Sequence, residues 1–330
     1  MISPRATFGW VCILKFNFFK TILSDEVIHL RAQVLFVCLW SSNYAQQSRC
    51  FNDLGAAIYS PCVCDGSGEG NLNVTCLGDL VTYQEIQKIF EDSTALVINR
   101  FALVPAVSGS SNIIEIIDDL LSNKRARVIE IATCPPASTL QISPNAFRNS
   151  KIYTQEFSIT DCDIDQLNWA FLQNFSQIIN VRLTTVSGIH SFSSLPPLRN
   201  AAQLTFDSCS GFDNPLPSFP AASLPALKRL DFVGNADLSN PVADSIVLAL
   251  ASNGVQLQSL TIRQSSLITL VPVNIGGILS LTSIDLSNNK IKFIDSNSLS
   301  FLNDRSVQLI DLSSNTVDII SANAFSTGTT

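Results

Sequence analysis

The sequence predicts an α/β solenoid, a stack of short coils that share one parallel sheet. Three observations predict it. The stretch IDLSNNKIKFI (284–294) returns 26 residues later as IDLSSNTVDII (310–320), and repetition at a fixed period of about 20–50 residues marks a chain whose units bury their faces against each other. An apolar–x–apolar pair recurs upstream at a similar period. Four cysteines in the pattern C-x11-C-x-C-x11-C stand directly ahead of the first unit. With 330 residues, 46% of them apolar and 14% charged, the chain can bury a large core. A net charge of −7 with no Lys/Arg cluster denser than Lys124, Arg125 and Arg127 argues against nucleic acid as a partner, because phosphate binding needs clustered cations.

Residues 1–45 carry no repeat and read as a signal-type leader. Two apolar bursts, Phe8 to Phe19 and Val34 to Trp40, are each too short to span a bilayer, which takes about 20 apolar residues. The second follows Arg31 and precedes SSNYA, as the hydrophobic region of a secretory signal would, with cleavage near Ala45. The residues upstream of that signal, 1 to about 30, read as a mis-joined exon or, alternatively, as a buried hydrophobic N-terminal extension. No membrane segment is expected in the chain as given, and secretion makes the protein extracellular.

The cap, residues 46–93, holds Cys50, Cys62, Cys64 and Cys76. A solenoid exposes the apolar edge of its first unit, so a cap is required, and a short cap with little core of its own is commonly stapled by disulfides. The spacing is wrong for zinc, whose ligand pairs come as C-x2-4-C. Two disulfides are expected here, in any of three connectivities. The glycine-rich GSGEG (66–70) lacks a following GK[ST] and reads as a loop.

Residues 94–330 are the repeats. Leucine-rich repeats carry L-x-x-L-x-L-x-x-N/C-x-L, in which L-x-L places two apolar side chains on one face of a strand and Asn or Cys turns inward after it. The inward position falls at Phe101, Cys134, Cys162, Val186, Cys209, Asn235, Ser265, Asn289 and Asn315, at spacings of 23 to 33 residues. The L-x-L pairs run Leu96/Ile98, Ile129/Ile131, Phe157/Ile159, Val181/Leu183, Leu204/Phe206, Leu230/Phe232, Leu260/Ile262, Ile284/Leu286 and Ile310/Leu312. That makes about nine repeats and a leucine-rich-repeat horseshoe with a parallel concave β-sheet. ISPNAF (142–147) and ISANAF (320–325) supply aromatic plugs for the back of their coils. The chain stops just after a repeat, so the C-terminal cap is expected to be missing from a truncated gene model, leaving Ile310, Leu312, Val317, Ile320 and Phe325 toward water.

The cap sequence SPCVCDGSGEGNLNVTC, the following LGDLVTYQEIQKIF and the Thr- and Ile-rich repeats resemble the crustacean extracellular leucine-rich-repeat proteins similar to the non-catalytic subunit of Oplophorus-luciferin 2-monooxygenase. The resemblance implies a secreted partner of another protein, without catalytic activity or cofactor of its own.

Such proteins bind through the outward x positions of the sheet. The candidates are Glu130, Ser158, Thr160, Asp161, Arg182, Thr184, Thr205, Asp207, Asp231, Thr261, Arg263, Asp285 and Asp311, with Val97, Asn99 and Arg100 ahead of them on the first strand. Hydroxyls and carboxylates dominate, which favours a polar or cationic protein partner. At ~4.8 Å per strand the sheet is roughly 38 Å long, enough for an interface of about 800 Å² per partner.

Several chemical motifs fail. DCDID (161–165) imitates a calcium loop, but its sixth position is Gln166 and its twelfth Leu172, where Gly and Glu are needed. Past the leader, His190 is the one histidine, with no nucleophile elbow or metal-spaced partner near it, so no catalytic residue and no metal ligand is expected. Cys134 and Cys162 occupy equivalent positions of adjacent coils, at a separation a disulfide tolerates. They are either bridged or two buried thiols filling the inward ladder. Asn73 (NVT) and Asn174 (NFS) are glycosylation sequons. Two functions from different classes remain: an accessory subunit that binds a secreted enzyme, and a receptor ectodomain or immune-type recognition module.

Overall fold

The computed structural model describes residues 10–20, 30–40, 50, 57–66, 70–93, 95–107, 112–164, 167–213, 219–270, 275–304 and 307–326. Two strands in the predicted leader, β1 (Trp10–Lys20) and β2 (Leu30–Trp40), pair antiparallel in a ladder of their own. The cap supplies β3 (Val63–Asp65), β4 (Asn73–Leu77) and helix α1 (Tyr83–Asp92). The repeats follow as β5 (Val97–Val104), β6 (Ile113–Ile116), β7 (Arg125–Ala132), β8 (Thr139–Ile142), β9 (Glu156–Asp163) and β10 (Asn180–Ser187). Then come β11 (Gln203–Asp207), β12 (Arg229–Val233), helix α2 (Asn240–Ser252), β13 (Ser259–Arg263), β14 (Ser283–Asp285), β15 (Phe293–Ile294), β16 (Leu309–Asp311) and β17 (Ile319–Ile320).

From β4 to β16 the concave strands β4, β5, β7, β9, β10, β11, β12, β13, β14 and β16 form one parallel ladder, with β3 added antiparallel at the cap edge. The fold is a leucine-rich-repeat solenoid with a disulfide-stapled cap. The cap bridges are Cys50–Cys64 and Cys62–Cys76. Cys76 pairs in register with Leu103 on the neighbouring strand, so β4 serves as a repeat strand and continues the core into the cap. Helix α1 begins with a capping box, in which Thr82 Oγ1 accepts from Glu85 N–H at 3.2 Å and Glu85 Oε2 accepts from Thr82 N–H at 2.8 Å. Its other end is closed by Lys124, 1% exposed, whose Nζ donates to Ser93 C=O at 2.8 Å. A cation there opposes the negative end of the helix dipole.

The first repeat corrects the predicted alignment. Phe101 and Leu103 pair with Ile129 and Ile131, so they are the strand's L-x-L pair, while the assigned Leu96 is 54% exposed. The assignment shifts by five residues, and the matching inward position becomes Ala106. The other predicted pairs that fall within the ladder hold their register from β7 to β16. Repeat length sets what fills the back of each coil. Between Asn235 and Ser265 the 30-residue spacing accommodates α2, whereas the 24-residue spacing from Ser265 to Asn289 leaves room only for a 3-10 turn at Ile275–Gly277.

A second regularity follows each strand. Thr133, Asp161, Thr185, Ser208, Gly234, Gln264, Asn288 and Ser314 all have φ between +50° and +70°, and each stands immediately before the inward N/C position. The left-handed residue turns the chain so that the next side chain points into the coil. There Asn235 accepts from Cys209 N–H at 2.7 Å and donates to Phe206 C=O at 2.9 Å. Asn289 accepts from Ser265 N–H at 3.1 Å and donates to Ile262 C=O at 2.7 Å. Each Asn thus ties its coil to the one before. In the first coils cysteine takes this place, and Cys134 and Cys162 are bridged. Cys209 is a buried free thiol, pushed up to about 11 by burial.

Behind the sheet the core is aromatic from Phe147 to Phe232. Ring contacts run from Phe147 through Phe157, Phe171, Trp169, Phe192 and Phe206 to Phe232 at centroid distances of 4.9–6.5 Å. Phe147 plugs its coil at 1% exposure, as ISPNAF suggests, but its counterpart Phe325 is 52% exposed.

Candidate functional site: the concave face

Register alone builds this face. Successive strands place Ala102, Glu130, Ser158, Arg182, Thr205, Asp231, Thr261, Asp285 and Asp311 side by side in one central row. A second row, two residues earlier on each strand, carries Arg100, Val128, Glu156, Asn180, Gln203, Arg229, Ser259 and Ser283. A third, two residues later, brings Ala132, Thr160, Thr184, Asp207, Val233 and Arg263 together. Asp161 lies just beyond that row, exposed, in a left-handed conformation near the end of β9. Between β7 and β11 the rows enclose a polar groove of about 460 Å³, with Glu130, Ser158, Thr160, Arg182, Thr184 and Thr205 among its walls.

Many of the face's charges are already engaged. Arg100 lays Nε and Nη2 on Glu130 Oε2 at 2.8 and 2.6 Å. Asp231 Oδ2 accepts from Arg229 Nε at 2.7 Å, Gln203 Nε2 at 3.2 Å and Thr205 Oγ1 at 3.4 Å. Asp285 and Asp311 fold back on their own strands and accept from Ser287 N–H and Ser313 N–H at 3.0 and 2.8 Å. The Ser313 side chain and backbone N–H hold the Asp311 carboxyl below its ordinary range. Asp207 accepts from the neighbouring Ser208 hydroxyl at 3.1 Å. Among the described residues Arg182, Arg263, Glu156 and Asp161 make no ion pair.

Three predicted contact residues need correction. Thr205, Asp231 and Thr261 are 8%, 3% and 8% exposed; Arg229 of the same strand and Gln203 of the neighbouring one lie against Asp231, and Gln203 also against Thr205. Asp231 cannot touch a partner directly. Arg229, Gln203 and Glu156 were missed, although the period-two alternation that selects the central row, carried one step toward the N-terminus, selects them too.

The other sequence-derived candidates lie elsewhere. Asn174 is exposed on a left-handed turn on the rim away from the sheet. Asn73 is half-buried in β4, its Nδ2 on Asp65 Oδ1 at 2.8 Å and its Oδ1 accepting from Asn99 at 2.9 Å. His190 Nδ1 stands 3.1 Å from Asp213 Oδ1 at a bridge between coils. Asp163 accepts from Ser187 across the ladder, while Asp165 and Gln166 of the imitation calcium loop lie outside the described residues. Among the described residues no cluster of three His, Cys, Asp or Glu side chains is arranged to hold a metal ion, and no helix is long and apolar enough to cross a membrane.

No protein-family model matches the chain, and no curated protein does. Among solved structures the chain is similar to the TLR13–ssRNA13 complex, at a TM-score of 0.50 and 14% identity over 76% of this chain and 34% of that one. It is also similar to the mouse RP105/MD-1 complex, at 0.49 and 16% over 69% of this chain and 36% of that one. An internalin (InlF) of Listeria monocytogenes matches at 0.36 and 18% over 73% and 66%. The chain spans about a third of the length of the first two, and the likeness is one of fold.

Proposed function

We propose that the chain is a non-catalytic, extracellular protein-binding module whose concave face docks another protein. The observation that carries this reading is the groove between β7 and β11: a parallel ladder presents a strip of hydroxyls, with Glu130 fixed by Arg100 and with Glu156 and Arg182 beside it. Sites held on regular elements lose little freedom on binding, which favours recognition. Extracellular residence is supported by the three disulfides among the described residues, since such bridges persist in oxidising compartments. Asn174, exposed in its turn, is the sequon better placed for a glycan. The resemblance of the cap and repeat texture supports the narrower reading, an accessory subunit of a secreted enzyme.

The test is recovery of tagged full-length protein from secretions of its source tissue, in parallel with Ser158→Trp/Thr184→Trp, which fills the groove. One secreted enzyme at fixed stoichiometry with the native protein, and lost from the variant, is the expected result. Equal recovery by the variant overturns the concave-face assignment. A varied set of ligands with no constant enzyme replaces the accessory subunit with a recognition module.

A further inference from the structure

We infer that Arg229 is a pre-oriented anchor for a carboxylate, so that the partner docked on the concave face presents an acidic segment to β10–β13. The inference rests on the proposal that this face binds protein, and it reverses the cationic partner that the row of aspartates suggests.

The argument starts from Asp231. Its side chain is 4% exposed, and Arg229 Nε lies 2.7 Å from its Oδ2. A buried carboxylate is costly without a cation, and among the described residues Arg229 is the only one bound to it. Gln203 and Thr205 brace the same oxygen at 3.2 and 3.4 Å, while Oδ1 is buried with no partner. The attraction is therefore concentrated on one guanidinium edge. Holding that edge by Nε fixes the plane of the group.

The other edge stays open. The Arg229 side chain is 56% exposed, and among the described residues its Nη1 and Nη2 make no hydrogen bond. Two parallel N–H donors in one plane match the two oxygens of a carboxylate, and that pairing is geometrically selective in a way an ammonium is not. A long side chain normally gives up rotamer freedom when it binds; here the buried aspartate has already fixed it. Arginine seated in this way is a common energetic centre of protein interfaces.

The neighbours favour an anion as well. Arg182 stands in the adjoining central row two strands from Arg229, and Arg263 in the third row one strand away, both without ion pairs among the described residues. In the three rows of β10–β13 three arginines, Arg182, Arg229 and Arg263, stand against two aspartates, Asp207 and Asp231, and Glu130 is held by Arg100 farther along the sheet. Glu156 and Asp161, both on β9 and three strands from Arg229, make no ion pair among the described residues. Their charge places the acidic segment on the β10–β13 side of the sheet.

The experiment uses the secreted full-length protein with its disulfides intact and two fluorescent probes, an acetylated hexaglutamate and an acetylated hexalysine peptide. Anisotropy is read at low ionic strength. Hexaglutamate binding that weakens at least tenfold in Arg229→Gln and severalfold in Arg229→Lys is expected, read well below the thermal midpoint of each variant, which falls in Arg229→Gln because the buried Asp231 loses its cation. Asp231→Asn keeps the charge of Arg229 but frees its orientation. It should weaken hexaglutamate while leaving the residual affinity of Arg229→Lys unaffected when the two are combined. Arg229→Glu should invert the preference toward hexalysine. Preference of the native protein for hexalysine, no binding of hexaglutamate, or equal binding by Arg229→Gln overturns the inference. A native partner lost from the groove-filled variant but retained by Arg229→Gln would overturn it while leaving the concave docking reading standing.

Discussion

Residue identity decides how each coil is tied to the next. Asn289 is 6% exposed and uses both ends of its amide, accepting from Ser265 N–H and donating to Ile262 and Leu286 carbonyls at 2.7 and 2.9 Å. Asn289→Ala leaves these backbone groups without their side-chain partner. An orphaned buried donor or acceptor costs about 1–3 kcal/mol, so Asn289→Ala should lose about 2–4 kcal/mol of stability, read as a lowered urea midpoint at unchanged slope. Lys290→Ala one residue later is the control, since Lys290 is exposed. A loss at Asn289 no larger than at Lys290 would remove the ladder from the explanation. The same scale explains the left-handed residues. Thr133 and Thr185 adopt φ of +57° and +51° at a steric cost of about 1–2 kcal/mol each, and the inward side chain that follows recovers it.

At the scale of elements, strand register was legible wherever the inward position carried a polar or sulfur-bearing marker. From Cys134 onward the apolar pairs and the Asn, Ser or Cys three residues later fix the register together, and the Val186 gap is bridged by neighbours on both sides. In the first coil two apolar pairs compete, Leu96/Ile98 and Phe101/Leu103, and neither is followed by Asn or Cys at the right distance, only by Phe101 or Ala106. Burial decides it, and burial is set by β4 and β7 together. The concave residues were legible as a row, but their accessibility was not, because it depends on side chains from three strands at once. The Cys134–Cys162 bridge was legible as a choice between two states. It links β7 and β9 across 28 residues, a closure worth about 3–4 kcal/mol in the chain-entropy account. Cys134→Ala/Cys162→Ala should therefore lower the unfolding free energy by that amount, read from the denaturant midpoint and slope, while the cap bridges stay intact. A loss under about 1 kcal/mol would mean that the stacked coils already hold the two strands in the unfolded ensemble or that the thiols pack as well unbridged.

The whole molecule behaves as a one-dimensional stack, in which each coil is stabilised by its two neighbours and not by a global core. Protection should then follow local packing along the chain. In the middle, β10 to β12 are five to eight residues long and back onto the aromatic run through Trp169, Phe192, Phe206 and Phe232. Toward the last described coil β14 and β16 shorten to three residues, and Leu309, Ile319 and Ile320 are each 57% exposed. Fewer ladder bonds and less buried area per coil lower the free energy of local opening. Amide hydrogen exchange on the 330-residue chain should thus be slowest in β10–β12 and faster by several orders of magnitude in β16. The cap should match the middle and not the far end, because two disulfides and the β4–β5 pairing close it. Uniform protection from β5 to β16 would instead mean that the coils open as a single cooperative unit. Binding at Arg229 would then be felt across the whole sheet. Under the graded behaviour expected here, an acidic ligand at β12 should slow exchange in β10–β13 and leave β16 unchanged, which places the site and the stability of its surroundings in the same measurement.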